Sequence, residues 1–132
     1  MSLGSLATKL VRLIKLDKLS EDARGWHFSL STRFSDIHLA SLAPGMVRGN
    51  HFHESCTEFL CVFGGLIRVK LANHDGSIVE DFNVDCLLRP FIIEIPPKII
   101  HAIKNIGNTT VYLVCGYIGN LEPNTNKVKI LE

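Results

Sequence analysis

Turn signals cut this chain into short apolar runs, and no run makes a convincing long helix, although residues 6–19 fit a helical spacing as well as the edge strand expected there. Gly64-Gly65 divides the runs 58–63 and 66–71 and predicts a hairpin. Asn73-His74-Asp75-Gly76 marks a second tight turn, and Pro96-Pro97 closes the run 91–95. Asn105-Ile106-Gly107-Asn108 separates 99–104 from 110–117. Upstream, 26–30 and 36–42 alternate apolar and polar residues with the period of a strand, after a polar turn at 20–25. A short, more polar edge strand is expected over 78–85 and a surface loop over 122–126. Many short strands at even spacing predict an all-β sandwich or barrel.

A chain of 132 residues suits one domain and can bury a core without disulfide staples. The expected division is an N-terminal arm or edge strand over 1–20 and the domain proper over 21–132. Hydrophobic residues at 46% and charged residues at 20% are a globular balance, not a disordered one. A formal net charge of +1 gives no basic field, so nucleic acid is not an expected partner. Arg12, Lys15 and Lys18 interrupt the N-terminal apolar segment too often for a membrane span or a signal-peptide core. The expectation is therefore a cytoplasmic protein with no membrane partner. The four cysteines show no C-x-x-C spacing; Cys61, Cys86 and Cys115 sit among aliphatic residues and read as small buried hydrophobes. Cys56 lies nearest the histidines and is the one candidate thiolate.

Chemistry concentrates between Pro44 and Val69. His51 and His53 are two residues apart, so on a strand both imidazoles share a face while Phe52 points the other way, into the core. Glu58 follows across a short loop, and His101 begins a later strand. Three imidazoles and one carboxylate suit a borderline divalent ion such as Zn, Fe, Mn, Ni or Cu, with positions left open for water or substrate. An H-x-H alone marks a solvated histidine pair more often than a metal site; the whole spacing is stronger. Gly45 lies six before His51, Glu58 five after His53, and Gly65 seven after Glu58.

That spacing resembles the first cupin motif, G-x5-H-x-H-x4-E-x6-G, at every fixed position. The segment 96–105 resembles the second motif at Pro96, His101 and Asn105, but has Lys98 where the motif has glycine and Arg89-Pro90 near an earlier expected glycine. The resemblance spans about residues 24–124. It implies a double-stranded β-helix, the cupin jelly-roll barrel. It also implies that His51, His53, Glu58 and His101 ligate one divalent transition metal, of Zn, Fe, Mn or Ni.

A narrower resemblance concerns substrate. Val47-Arg48-Gly49-Asn50-His51-Phe52-His53 and Asp22-Ala23-Arg24-Gly25-Trp26 are similar to segments of cupins that act on nucleotide-linked deoxysugars. Ile95-Pro96-Pro97 with His101-Ala102-Ile103 is similar to the cupin domain of capsular sugar epimerase-reductases. This implies an epimerase or isomerase of a nucleotide-linked 4-keto-6-deoxy sugar in surface polysaccharide biosynthesis. Such chemistry needs a base, and His38, Tyr112 and Glu94 are the candidates on inward strand parity. Arg48 and Arg24 could pair with a diphosphate, and Lys98 could project over the pocket mouth. Two other functions suit the same motif: a small metal-dependent dioxygenase, and a binding module that holds a small ligand without turnover. Long apolar strands and the N-terminal segment make a homodimer the expected assembly.

Overall fold

Period-two alternation becomes two facing antiparallel sheets. The structure is a computed structural model and describes residues 6–122 and 126–132. The first five residues of the expected arm and residues 123–125 of the expected loop lie outside the described residues. In chain order the strands are β1 Arg12–Leu13, β2 Ser20–Asp22, β3 Gly25–His27, β4 Asp36–Leu42, β5 Val47–Phe52 and β6 Cys56–Phe63. They continue as β7 Leu66–Ala72, β8 Val79–Asp85, β9 Phe91–Ile95, β10 Ile100–Asn105, β11 Val111–Gly119 and β12 Asn126–Lys127. One sheet runs β1-β9-β6-β11-β4 and the other β12-β5-β10-β7-β8; β2 and β3 form a separate hairpin. No helix of the described residues is long and apolar enough to cross a membrane.

The core lies between the two sheets because the inward positions of both are aliphatic. Val62, Ile93 and Val111 from the first sheet meet Ile67, Val69 and Leu71 from the second, all fully buried. Burying each such side chain is worth about 1.5–3 kcal/mol. Asn105 closes one end of this core as a buried junction. Its Nδ2 donates to the carbonyls of Leu42 and Thr109 at 2.9 and 2.7 Å, and its Oδ1 accepts the Gly107 N–H at 3.0 Å.

Three local features differ from the sequence expectation. The strand over 26–30 stops at His27, and the chain then crosses the outer face of the first sheet. Apolar contacts there replace ladder bonds: Trp26 meets Phe63 edge-on at 6.0 Å and Phe34 meets Phe59 at 5.4 Å. Gly116 makes room, since a Cβ there would lie 2.6 Å from the Phe34 ring. The polar segment 20–25 is not only a turn, because β2 pairs back on β3. Phe52 is buried, but not in the main core; it packs with Ala72, Ile100 and Ile130 in a second small cluster.

Candidate functional site

The site depends on a bulge in β5. His51 pairs with His101 and Gly49 with Ala102, so Asn50 is skipped on the β10 side. Gly49 and Asn50 both have positive φ, 96° and 57°. A Cβ on Gly49 would lie 2.5 Å from the His101 carbonyl oxygen and 3.0 Å from the Ala102 Cα, so only glycine fits. Asn50 is a residue type that tolerates the left-handed region. Its amide also binds the C-terminal segment: Nδ2 donates to the Leu131 carbonyl at 2.9 Å, and Oδ1 accepts the N–H groups of Ile130 and Leu131. The extra residue resets the alternation. Arg48 and His51, three apart, therefore line the same cavity.

Four donors converge from β5 with its following residue, from β6 and from β10. His53 Nε2 lies 2.9 Å from Glu58 Oε1, and His101 Nε2 lies 3.5 Å from the same oxygen. The His51 ring centroid is 4.9 Å from that of His53 and 4.7 Å from that of His101. One ligand atom from each of His51, His53, Glu58 and His101 falls within 4.8 Å of the others. His53, Glu58 and His101 are only 3–4% exposed. Backbone contacts hold the rims, the Lys98 N–H donating to the His53 carbonyl at 2.7 Å.

The protonation pattern fits a cation. His101 Nδ1 lies 3.0 Å from the Ile99 carbonyl, which only accepts, so Nδ1 carries the proton. In the neutral ring Nε2 is then a bare lone pair, buried and without a hydrogen-bond partner among the described residues, facing a carboxylate oxygen. Burial pulls the His101 pKa down, but the Glu58 carboxylate and the Ile99 carbonyl carry it above its ordinary value, so the site favours positive charge where Nε2 faces Glu58. Burial pushes Glu58 up, yet His101 and His53 hold it below the usual carboxylate range. Burial, then His101 and His53, bring His51 down to about 4, so it stays neutral. An ionised carboxylate with three imidazole nitrogens, one of them an orphaned acceptor, is a donor set that suits a divalent transition metal.

The cluster opens into a cavity of about 190 Å³ between the sheets. His38, Arg48 and Tyr117 line it beside His51, Glu58 and His101. His38 Nε2 lies 3.0 Å from Asp36 Oδ2, and the His38 ring lies tilted against Tyr117, centroids 4.9 Å apart. Tyr117 also meets His53 edge-on at 5.5 Å. Burial and the nearby Glu58 charge raise the Tyr117 pKa, so the phenol keeps its proton. Arg48 is fixed through Nε, which donates to the Ser41 carbonyl at 2.9 Å.

A family model described as the polysaccharide biosynthesis C-terminal domain matches residues 20–121. The chain belongs to this family. No curated protein matches the sequence. Among solved structures, this polysaccharide-biosynthesis domain is similar to the capsular polysaccharide assembling protein CapF from Staphylococcus aureus. There the identity is 20% and the TM-score 0.65, over 90% of this chain and 35% of that one. The domain thus spans about a third of CapF. A dTDP sugar isomerase from Desulfovibrio desulfuricans G20 matches at 17% identity and TM-score 0.73, over 92% of this chain and 85% of that one. NovW, a 4-keto-6-deoxy sugar epimerase from the novobiocin biosynthetic gene cluster of Streptomyces spheroides, matches at 16% and 0.66, over 92% and 75%. The fold of the domain is the all-β cupin barrel.

Two of the three base candidates in this domain face away from the cavity. On β11, Leu113, Cys115 and Tyr117 point inward, so Tyr112 has the opposite parity; it is 50% exposed and lies against Phe63. On β9, Ile93 and Ile95 fill the core, so Glu94 is turned out and ion-paired with Arg12 at 2.8 Å. His38 does line the cavity. Arg24 sits in the β2–β3 hairpin, its Nε 3.1 Å from Asp22 Oδ2, and does not line the cavity. Lys98 does not line it either; its Nζ lies 3.8 Å from Glu54, and its φ of 70° is the left-handed conformation that glycine adopts freely. Cys56 is buried, and burial with Glu122 and Glu58 pushes its thiol up to about 11, so it is no thiolate. Sequence reasoning missed Tyr117. Alternation groups Tyr117 with Val111, Leu113 and Cys115, apart from Tyr112, and the fold makes that face the inner one.

Proposed function

We propose that this domain is an epimerase or isomerase of a nucleotide-linked 4-keto-6-deoxy sugar in surface polysaccharide biosynthesis. The observation that carries the reading is one cavity that brings His38, Tyr117 and Arg48 against the His51, His53, Glu58 and His101 cluster. Support for the substrate class comes from the family and from the similar folds named as a dTDP sugar isomerase and a 4-keto-6-deoxy sugar epimerase. The cavity volume, about 190 Å³, is below the roughly 300–1,000 Å³ of sites that bury a drug-sized ligand. It suits one sugar ring and leaves the nucleotide at the mouth.

Carbon next to a ketone is acidic, and both reactions begin by removing that proton. His38, oriented by Asp36, accepts it from the carbon beside the keto group. The electron pair of the broken C–H bond moves into an enediolate. Tyr117, protonated by its environment, hydrogen-bonds the developing oxygen charge or returns a proton to carbon. Arg48, anchored through Nε, keeps its other guanidinium donors for an anionic oxygen of the substrate. A divalent metal such as Zn, Fe, Mn or Ni, held by His51, His53, Glu58 and His101, would supply Lewis-acid polarisation of the keto group.

The test is solvent exchange. The protein is incubated in deuterium oxide with a dTDP-linked 4-keto-6-deoxyhexose, and deuterium at the carbon beside the ketone is followed by NMR. Incorporation that drops at least about tenfold in His38→Asn and in Tyr117→Phe is expected, in line with the 10²–10⁴-fold contribution of a positioned acid or base. No incorporation by the metal-supplied wild type sinks the proposal. The same reading includes a cytoplasmic homodimer; the dimer is supported by the edge of β4, unpaired by any strand of the described residues, where Ile37 and Leu39 are 58% and 78% exposed. A monomer mass in sedimentation at micromolar concentration would refute the dimer.

A further inference from the structure

Two buried atoms beside the cluster have no hydrogen-bond partner among the described residues, and they face each other. They are His53 Nδ1 and Glu122 Oε2, 3.9 Å apart. Glu122 is already clamped to the turn that follows His53. Its Oε1 accepts the N–H groups of Glu54 and Ser55, each at 2.9 Å. Two backbone N–H donors on one oxygen favour the ionised form, so the group is a carboxylate. It can only accept.

A neutral His53 ring, the only form that can ligate a metal, can satisfy one side or the other. With its proton on Nε2 it donates to Glu58 at 2.9 Å, and Nδ1 becomes a bare acceptor aimed at a bare oxygen. Two buried orphan acceptors cost free energy. With its proton on Nδ1, Glu122 Oε2 has a donor, and the gap needs to close by only about 1 Å to reach hydrogen-bond length. The Nε2 lone pair is then free, and it points at Glu58 beside His101 Nε2.

We infer that Glu122 is a positioning residue that holds His53 as the Nδ1–H tautomer and so aims its Nε2 lone pair at a divalent metal. The inference rests on the metal reading of the site. A second metal at His53, Cys56 and Glu122 is the weaker alternative, although these also lie close enough together. Its thiol is pushed up to about 11, and one Glu122 oxygen is committed to two backbone donors. Outer partners of this kind hold ligand orientation and basicity in metal sites, and their loss costs about 10–100-fold in metal affinity.

Glu122→Gln separates the two duties of the side chain. The amide oxygen still accepts from Glu54 and Ser55, while an amide nitrogen, a donor, replaces the oxygen facing His53. Zinc is titrated calorimetrically into wild type, Glu122→Gln and His51→Ala. An affinity about 10–100-fold lower in Glu122→Gln is expected, with the melting temperature of the metal-free protein unchanged. Long-range proton–nitrogen NMR of the zinc-loaded wild type gives a second readout and should place the His53 proton on Nδ1. Equal zinc affinity in Glu122→Gln and wild type, or a His53 proton on Nε2, overturns the inference. If His51→Ala then still weakens binding, the metal reading stands without it. A wild type that takes no zinc overturns both.

Discussion

Replacing Gly49 with alanine tests the bulge on which the site is built. The substitution adds one carbon at φ 96°, a conformation that costs an L residue about 1–2 kcal/mol. That carbon would sit 2.5 Å from the His101 carbonyl oxygen and 3.0 Å from the Ala102 Cα. Both neighbours are backbone held in the β5–β10 and β10–β7 ladders, so neither can swing away as a side-chain tip would. Overpacking of this kind costs about 1–3 kcal/mol more. The sum, about 2–5 kcal/mol, is a large part of the 5–15 kcal/mol that holds a typical domain together. It should lower the melting temperature on the order of 10–20 °C. Gly76→Ala is the control. Its φ is 76°, but nothing lies within 4 Å of the added carbon, so only the conformational cost applies. Thermal melts followed by circular dichroism compare the two. On the metal reading proposed above, zinc affinity should fall in Gly49→Ala and hold in Gly76→Ala, because only the first displaces the backbone of His101. If Gly49→Ala melts no lower than Gly76→Ala, the steric reasoning is wrong.

Lys98→Gly should raise the urea midpoint by an amount worth about 0.5–1 kcal/mol, since it relieves a left-handed residue at some cost in unfolded-state entropy; Lys98→Val should lower it, and two shifts of the same sign would contradict the strain. Asn105→Ala removes three hydrogen bonds at the closed end of the core and should cost about 3 kcal/mol or more in denaturant titration; a loss below about 1 kcal/mol would mean that water replaces them. Arg12→Ala should weaken the hold of β1 on β9 by about 0.2–1 kcal/mol, read as faster amide exchange at Ile14, whose N–H bonds the Ile92 carbonyl. Hydrogen bonding to Arg12 lowers the Glu94 pKa, so this contribution is present above the ordinary glutamate value and is lost as pH falls through the lowered one. Exchange at Ile14 that is equally fast in wild type and variant at neutral pH would rule the ion pair out as the fastener.

The strands and turns were legible because they are local: glycine, proline and Asx clusters interrupt ladders wherever they fall, and β6, β7, β9 and β11 lie close to the segments expected. Phe91–Ile95 matches the expected run residue for residue. The four donors were legible for the same reason, since their spacing is a property of the chain, and only their meeting needed the fold.

Sequence alone determined the all-β class, the turn positions and the identity of His51, His53, Glu58 and His101 as one group. Tertiary structure decided which face of each strand is the inner one. Alternation says which residues share a face, but on strands such as β9 and β11, apolar on both sides, it does not say which face meets the opposite sheet. That choice turned Glu94 and Tyr112 out and Tyr117 in. It also depended on Asn50, one residue skipped by the β10 ladder, whose bulge changes the parity of everything before it and carries Arg48 into the cavity. Such a bulge is set by how closely the backbones of β5 and β10 approach at Gly49, a distance between strands fifty residues apart, and no local pattern encodes it.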